Sequence, residues 1–180
     1  MEFELRSLAV IGVDRDLTLI DTKAATAYAL GEVNRRCGAA IDVPAMIEGI
    51  GPPIRQQLGR WISPDGLDEA VAMFRASFLD GGIERLVPMP GAIELGGAAR
   101  QNGGLVVITS RIPPVATACI EAVGIEVTAI AGGVTGVEKA DPMREHGVVV
   151  YVGDHPLDMQ GAIEAGIPDI KEIVKTFFHR

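Results

Sequence analysis

Four short apolar runs constrain this chain more than anything else in it. They are Ser7–Val13, Leu105–Ile108, Ile125–Ile130 and Val148–Val152, all rich in β-branched residues. Each is too short for a helix and lacks the alternation of a strand with one wet face. Such runs read as strands covered on both faces, the signature of a parallel sheet. Helical patterns lie between them. Gly91–Gln101 runs into Asn102-Gly103-Gly104, Pro113–Val123 starts on a proline pair and stops at Gly124, and Pro156–Ala165 stops at Gly166. Proline at a helix start and glycine just past its end are the expected punctuation. The β-α-β-α alternation predicts an α/β fold built on a doubly wound parallel sheet.

One stretch breaks that rhythm. From Asp14 to Leu105 no strand is expected, and Lys23–Cys37, Pro52–Ile62 and Leu67–Leu79 read as helices. Val71, Phe74, Phe78 and Leu79 form one side of the last, and Ser63-Pro64-Asp65-Gly66 separates it from the helix before. Residues 22–87 are therefore expected to be an all-helical cap, inserted after the first strand into a core of residues 1–21 and 88–180. An insertion there would overhang the carboxyl edge of the sheet, where open α/β sheets bind ligands, and would act as a lid. Trp61 is expected to pack within it.

Composition narrows the partners. The 180 residues suffice for one compact domain with a modest second lobe, and 48% are hydrophobic, so disorder is not expected. The net charge is −8 and no run of Lys and Arg tracks a phosphate backbone, so nucleic acid is not the expected partner. No apolar run reaches the roughly 20 residues that span a bilayer. Met1–Arg6 has no basic start to an apolar region, so no signal peptide is read there and a cytoplasmic location is expected. The two cysteines, Cys37 and Cys119, match no metal spacing and read as small buried apolar residues.

Polar residues gather where the strands end. Asp14 and Asp16 directly follow the first strand, and in extended backbone residues i and i+2 face the same side. Thr109 follows the second, where its hydroxyl and the N–H of Ser110 could hold a phosphate oxygen, and Arg111 beside them suits a second anionic group. Lys139 lies in a polar loop after the third strand. Gly153-Asp154 ends the fourth, with Asp158 one helical turn on. If the first and fourth strands are neighbours, three carboxylates converge, and a divalent cation with oxygen ligands would relieve their repulsion. His146, His155 and His179 read as surface residues, with His155 near the pocket mouth. Arg55 and Arg60 lie on the insertion.

The ordered set resembles the haloacid dehalogenase-like hydrolase superfamily, and within it the phosphoglycolate phosphatase-like branch with a helical cap between the first and second motifs. Asp14, Asp16 and Thr18 match the first motif, Asp-x-Asp-x-Thr. Thr109 matches the second, Lys139-Ala140-Asp141-Pro142 the third, and Gly153, Asp154 and Asp158 the fourth. Leu17 stands where the branch usually has glycine, and Ala140 replaces a proline. Only 131–147 separate the third and fourth strands, room for a short helix around Ala140–Glu145, and the tail from Ile167 to Arg180 departs from the expected further strand.

The resemblance implies a Rossmann-like core and a Mg²⁺-dependent phosphatase acting on a small phosphate monoester. Asp14 would be the nucleophile that forms an aspartyl-phosphate. Asp16 would be the general acid and base, and Thr109 and Lys139 would bind the phosphoryl group. Mg²⁺ would be held by Asp14, the backbone carbonyl of Asp16, and Asp154, with Asp158 as ligand or orienter. A carboxylate at position 16 favours phosphate over halide as leaving group. A phosphomutase on the same fold and a non-catalytic binding protein are the alternatives. A monomer or homodimer is expected.

Overall fold

The computed structural model describes residues 9–168. The expectations for residues 1–8 and for the tail from 169 onward, including His179, lie outside the described residues. Four parallel strands form the central sheet: β1 (Ala9–Val13), β4 (Gly103–Thr109), β5 (Ala129–Gly132) and β6 (Val148–Val152), in the order β5-β4-β1-β6. β1 is therefore interior. Val13 lies opposite Val107 of β4 on one side and Val152 of β6 on the other. That register brings the carboxyl ends of β1, β4 and β6 side by side, with Asp14, Thr109 and Asp154 at their tips. At the last described residue the chain comes back to β6, where the Tyr151 N–H donates to the Pro168 carbonyl at 3.1 Å.

Helix α5 (Ala92–Gln101) precedes β4, α6 (Pro113–Val123) joins β4 to β5, and α8 (Pro156–Ala165) follows β6. α6 and α8 have the expected bounds. Between β5 and β6 the chain is as short as expected: a 3₁₀ turn (Gly136–Lys139) runs straight into α7 (Ala140–Glu145). The turn is closed by a capping box in which the Thr135 N–H donates to Glu138 at 3.1 Å. Its seat on α8 depends on Gly161. A Cβ there would stand 2.8 Å from both the Gly136 carbonyl and the Lys139 Cβ, closer than real side chains come. A bare backbone at 161 thus lets an abbreviated crossover deliver Lys139 to the sheet edge.

The third strand is displaced from its expected position. Ile125–Val127 is not a strand, and β5 covers Ala129–Gly132. The ladder to β4 starts only at Thr128, whose N–H donates to the Leu105 carbonyl at 2.7 Å. The residues before it lie against α5, where Gly96 closely approaches the Glu126 backbone. An apolar run has no period that separates a paired segment from one packed under a helix.

Residues between β1 and α5 are helical as expected, with additions. α1 (Lys23–Cys37) has the expected bounds. α2 (Val43–Glu48) was not anticipated, although Asp42 caps it through the Ala45 N–H at 3.1 Å and Pro44 sits in its first turn. The expected helix over Pro52–Ile62 shrinks to α3 (Ile54–Leu58), because Pro53 is extended and Gly59 ends the turn. α4 (Pro64–Ser77) begins on Pro64 rather than after it and continues through a π-helical turn (Phe78–Gly82) and a 3₁₀ turn (Ile83–Arg85). The π turn breaks the 3.6-residue period, so Phe74 and Phe78 are buried while Leu79 is 40% exposed. A two-residue antiparallel ladder of β2 (Ile20–Asp21) with β3 (Val87–Pro88) joins the insertion to the core, a strand pair not expected in this stretch. Trp61, expected to pack inside, is 40% exposed, and Cys37 is exposed where burial was expected. No helix among the described residues is long and apolar enough to cross a membrane.

Candidate active site

β1 delivers Asp14, Arg15 and Asp16 in one step, and the chain then reverses. The Leu17 N–H donates to the Ile20 carbonyl at 2.9 Å. To make this turn Leu17 adopts φ 59°, the left-handed region that an L side chain enters only at a cost of roughly 1–2 kcal/mol. Replacing Leu17 with glycine is expected to raise the unfolding free energy by up to about 1 kcal/mol, after the added flexibility of the unfolded chain is subtracted. A shift of the urea midpoint to higher concentration checks this.

Asp14 and Asp16 lie just past the end of β1 but have separate partners. The buried Asp14 accepts from Lys139 Nζ at 2.8 Å. Lys139 also bonds Asp158 and the Tyr151 hydroxyl, the latter at 3.0 Å. Asp158 is fixed from its other oxygen by the His155 N–H at 3.0 Å, at the start of α8. Carboxylate oxygens of Asp14, Asp154 and Asp158 all lie within 4.8 Å of one another. Asp154 is the exposed member of the three and accepts from the Thr18 hydroxyl at 3.3 Å.

Asp16 turns away from that trio. One oxygen accepts from Arg15 Nη2 at 2.6 Å and from the Thr22 hydroxyl at 2.7 Å; the other accepts from Arg111 Nε at 3.1 Å. Arg15 is fully buried. Its Nη1 lies 2.9 Å from Cys119 Sγ, and its Nε has no hydrogen-bond partner among the described residues. Arg111 lies 5.7 Å from the ring centres of both Phe74 and Phe78, so the insertion supplies an aromatic shelf for a core guanidinium.

Electrostatics separates the two aspartates further. Burial pushes Asp14 up to about 7; Lys139 pulls the other way, and Asp158 and Asp16 add to the rise. Burial also acts to raise Asp16, but Arg111 and Arg15 outweigh it and hold the carboxyl far below the usual range. Burial would depress Lys139, yet Asp14 and Asp158 more than offset it, so its pKa is raised and it stays a cation. A neutralisable carboxylate beside a firmly charged lysine, with a second carboxylate held ionised nearby, is an inventory suited to nucleophilic chemistry on an anion.

The other expected residues gather round this centre. Thr109 is buried at the end of β4, its hydroxyl accepting from the Arg111 N–H at 3.3 Å. The Ser110 hydroxyl donates to the Gly51 carbonyl of the insertion at 3.0 Å. A cavity of about 50 Å³ lies between α3, α4 and the loop after β4; Arg55, Arg75 and Arg111 line it together with Phe74 and Phe78. Arg55 also pairs with Asp68 at the surface. Arg60 is exposed. Four contributors escaped the sequence reading: Arg15, Thr22, Tyr151 and the Phe74–Phe78 shelf. Arg15 alone left a signal, a charged residue directly between the two aspartates.

Residues 13–171 match the family model of the haloacid dehalogenase-like hydrolases. The chain belongs to that family. Among solved structures it is similar to a haloacid dehalogenase-like family hydrolase from Streptococcus pneumoniae, at 25% identity and a TM-score of 0.78, over 90% of this chain and 83% of that one. It shares its fold with a predicted phosphoglycolate phosphatase from Haemophilus somnus, at 18% identity and TM-score 0.74 over 90% and 84% of the chains. It also shares it with CbbY from Rhodobacter sphaeroides, solved in complex with phosphate, at 19% identity and TM-score 0.74 over 90% and 84%. No match was found among curated protein sequences.

Proposed function

We propose that this chain is a Mg²⁺-dependent phosphatase that hydrolyses a small phosphate monoester through an aspartyl-phosphate on Asp14. One observation carries the reading: Asp14 lies against Lys139 at 2.8 Å while its oxygens share a 4.8 Å group with those of Asp154 and Asp158. A nucleophile, a cation for the phosphoryl oxygens and a hard-oxygen donor set thus meet at one point of the sheet edge.

That donor set fits Mg²⁺, which takes oxygen ligands. Asp14, Asp154 and the backbone carbonyl of Asp16 would hold the ion. Asp158, with one oxygen on Lys139 and the other on the His155 N–H, would orient the water around it. When bound, Mg²⁺ would offset charge on the phosphoryl oxygens and on Asp14.

The residues would act as follows. The Asp14 carboxylate attacks phosphorus, the ester bond breaks, and Lys139 and Thr109 hold the phosphoryl oxygens. Asp16, held ionised, is ready to take a proton from the water that cleaves the intermediate. To protonate the leaving oxygen it must first carry a proton, which requires Arg111 to loosen its hold. Ser110 and Arg111 would meet the leaving group, and the cavity lined by Arg55, Arg75 and Arg111 would accept a second anionic group on it. Residues 22–87 would serve as the cap that closes over this site.

A panel of phosphate monoesters, beginning with a generic aryl phosphate, tests the reading. Phosphate release is expected with Mg²⁺, and less than about 1% of it with excess chelator. Release that is indifferent to the chelator would contradict the metal assignment, and no release across the panel would contradict the function.

A further inference from the structure

Tyr151 sits beneath the site without belonging to any of the four motifs. It is wholly buried in β6, in the cluster formed with Val106, Ile108, Met143, Val148 and Ala162. Its ring has a reserved place. A Cβ on Gly12 of the neighbouring strand would lie 2.9 Å from Tyr151 Cδ2, so glycine at 12 makes room for the aromatic. Its hydroxyl lies 3.0 Å from the Ile108 carbonyl, 3.0 Å from Lys139 Nζ and 3.3 Å from Asp158 Oδ1. One oxygen thus reaches the residue before Thr109, the lysine after β5, and the second aspartate after β6.

Proton bookkeeping limits what this hydroxyl can do. A phenol has one proton to give. Lys139 donates to the hydroxyl oxygen, and among the described residues the phenolic proton has two acceptors in reach, the Ile108 carbonyl and Asp158. Lys139 in turn has three protons, directed at Asp14, Asp158 and Tyr151. To contact a phosphoryl oxygen, Lys139 must release one of the three. Releasing Asp158 would strip a buried carboxylate of its cation, which is costly unless another donor is at hand.

We propose that Tyr151 is a positioning residue for phosphoryl binding: its hydroxyl fixes Lys139 Nζ, and its proton turns from the Ile108 carbonyl to Asp158 when Lys139 turns to the substrate. The proposal rests on the phosphatase reading of Lys139. No bond to the phosphoryl group involves Tyr151 itself.

Tyr151→Phe, made in the full chain, removes the hydroxyl and keeps the ring against Gly12. Calorimetric titration with inorganic phosphate in the presence of Mg²⁺ is expected to show binding weakened about tenfold. Aryl phosphate turnover is expected to fall in kcat/KM by a similar factor. Val106→Ala, in the same apolar cluster and with no polar side-chain group to lose, controls for packing. It is expected to lower the thermal midpoint at least as far as Tyr151→Phe does, and to leave phosphate affinity and kcat as in the wild type. Unchanged phosphate affinity in Tyr151→Phe overturns the proposal, as does an equal loss in Val106→Ala. A wild type that binds phosphate but hydrolyses no ester would count against the phosphatase reading alone, and the comparison of affinities would still decide the role of Tyr151. A wild type that does not bind phosphate overturns both.

Discussion

Asp14→Asn is expected to lower kcat by about 10⁴-fold or more, because the amide cannot form the acyl-phosphate and nothing else in the trio is placed to replace it. Steady-state release of phosphate from an aryl ester checks the size of the loss. The same substitution is expected to stabilise the protein when Mg²⁺ is absent, and the sign follows from the direction of the pKa shift. The ordinary value is 3.8 and the folded value about 7, so the fold favours the neutral carboxyl. That contribution is fully present below the ordinary value and is lost as pH rises toward about 7. An uncharged Asn is indifferent to this. Its advantage over Asp should therefore widen across that interval and level off above it, reaching on the order of 1 kcal/mol or more. Urea unfolding in chelator at several pH values measures it. An advantage that narrows with rising pH would contradict the buried, desolvated state of Asp14.

Lys139→Met is expected to cost less activity than Asp14→Asn and far more stability. Lys139 is the cation shared by Asp14 and Asp158, and all three are buried. Removing it leaves two carboxylates facing one another without a counter-ion, a loss of about 3–5 kcal/mol in comparable buried pairs. Added Mg²⁺ should recover part of this by binding the same carboxylates, so the thermal midpoint of Lys139→Met should depend on Mg²⁺ more steeply than that of the wild type. Turnover should fall by about 10²–10³-fold even when Mg²⁺ saturates, since one fixed charge on the phosphoryl oxygens is gone. A Lys139→Met protein as stable as the wild type without Mg²⁺ would mean that the two aspartates do not share the lysine.

The sequence made the skeleton of this site readable because its parts sit at strand ends, and strand ends are marked by a change from apolar to polar residues. β6, α1, α6 and α8 have the expected bounds for that reason, each flanked by clear stop signals. The order of Asp14, Thr109, Lys139 and Asp154 along the chain then marks them as candidates, and the structure brings Asp14 against Lys139 and within reach of Asp154. What was not legible is of two kinds. The first is pairing that depends on tertiary contact: β5 opens at Ala129 rather than Ile125, and Ile20–Asp21 finds Val87–Pro88 across the helices between them. No local pattern encodes either. The second is the identity of partners. From their spacing Asp14 and Asp16 read as facing the same side, but the structure divides them by supplying Arg15, Arg111 and Thr22 to Asp16 and Lys139 to Asp14. Arg111 comes from 95 positions away, and Arg15 is buried against the usual habit of its residue type.

Thr22 occupies an unusual junction. It is the residue at which α1 and the insertion begin, and it is also a donor to Asp16. Beside it the β2–β3 ladder closes the stretch between β1 and α5 with two residue pairs. The Thr22 hydroxyl and Arg15 Nη2 donate to the same Asp16 oxygen, so a displacement of the first turn of α1 would change the donors on Asp16 through one side chain.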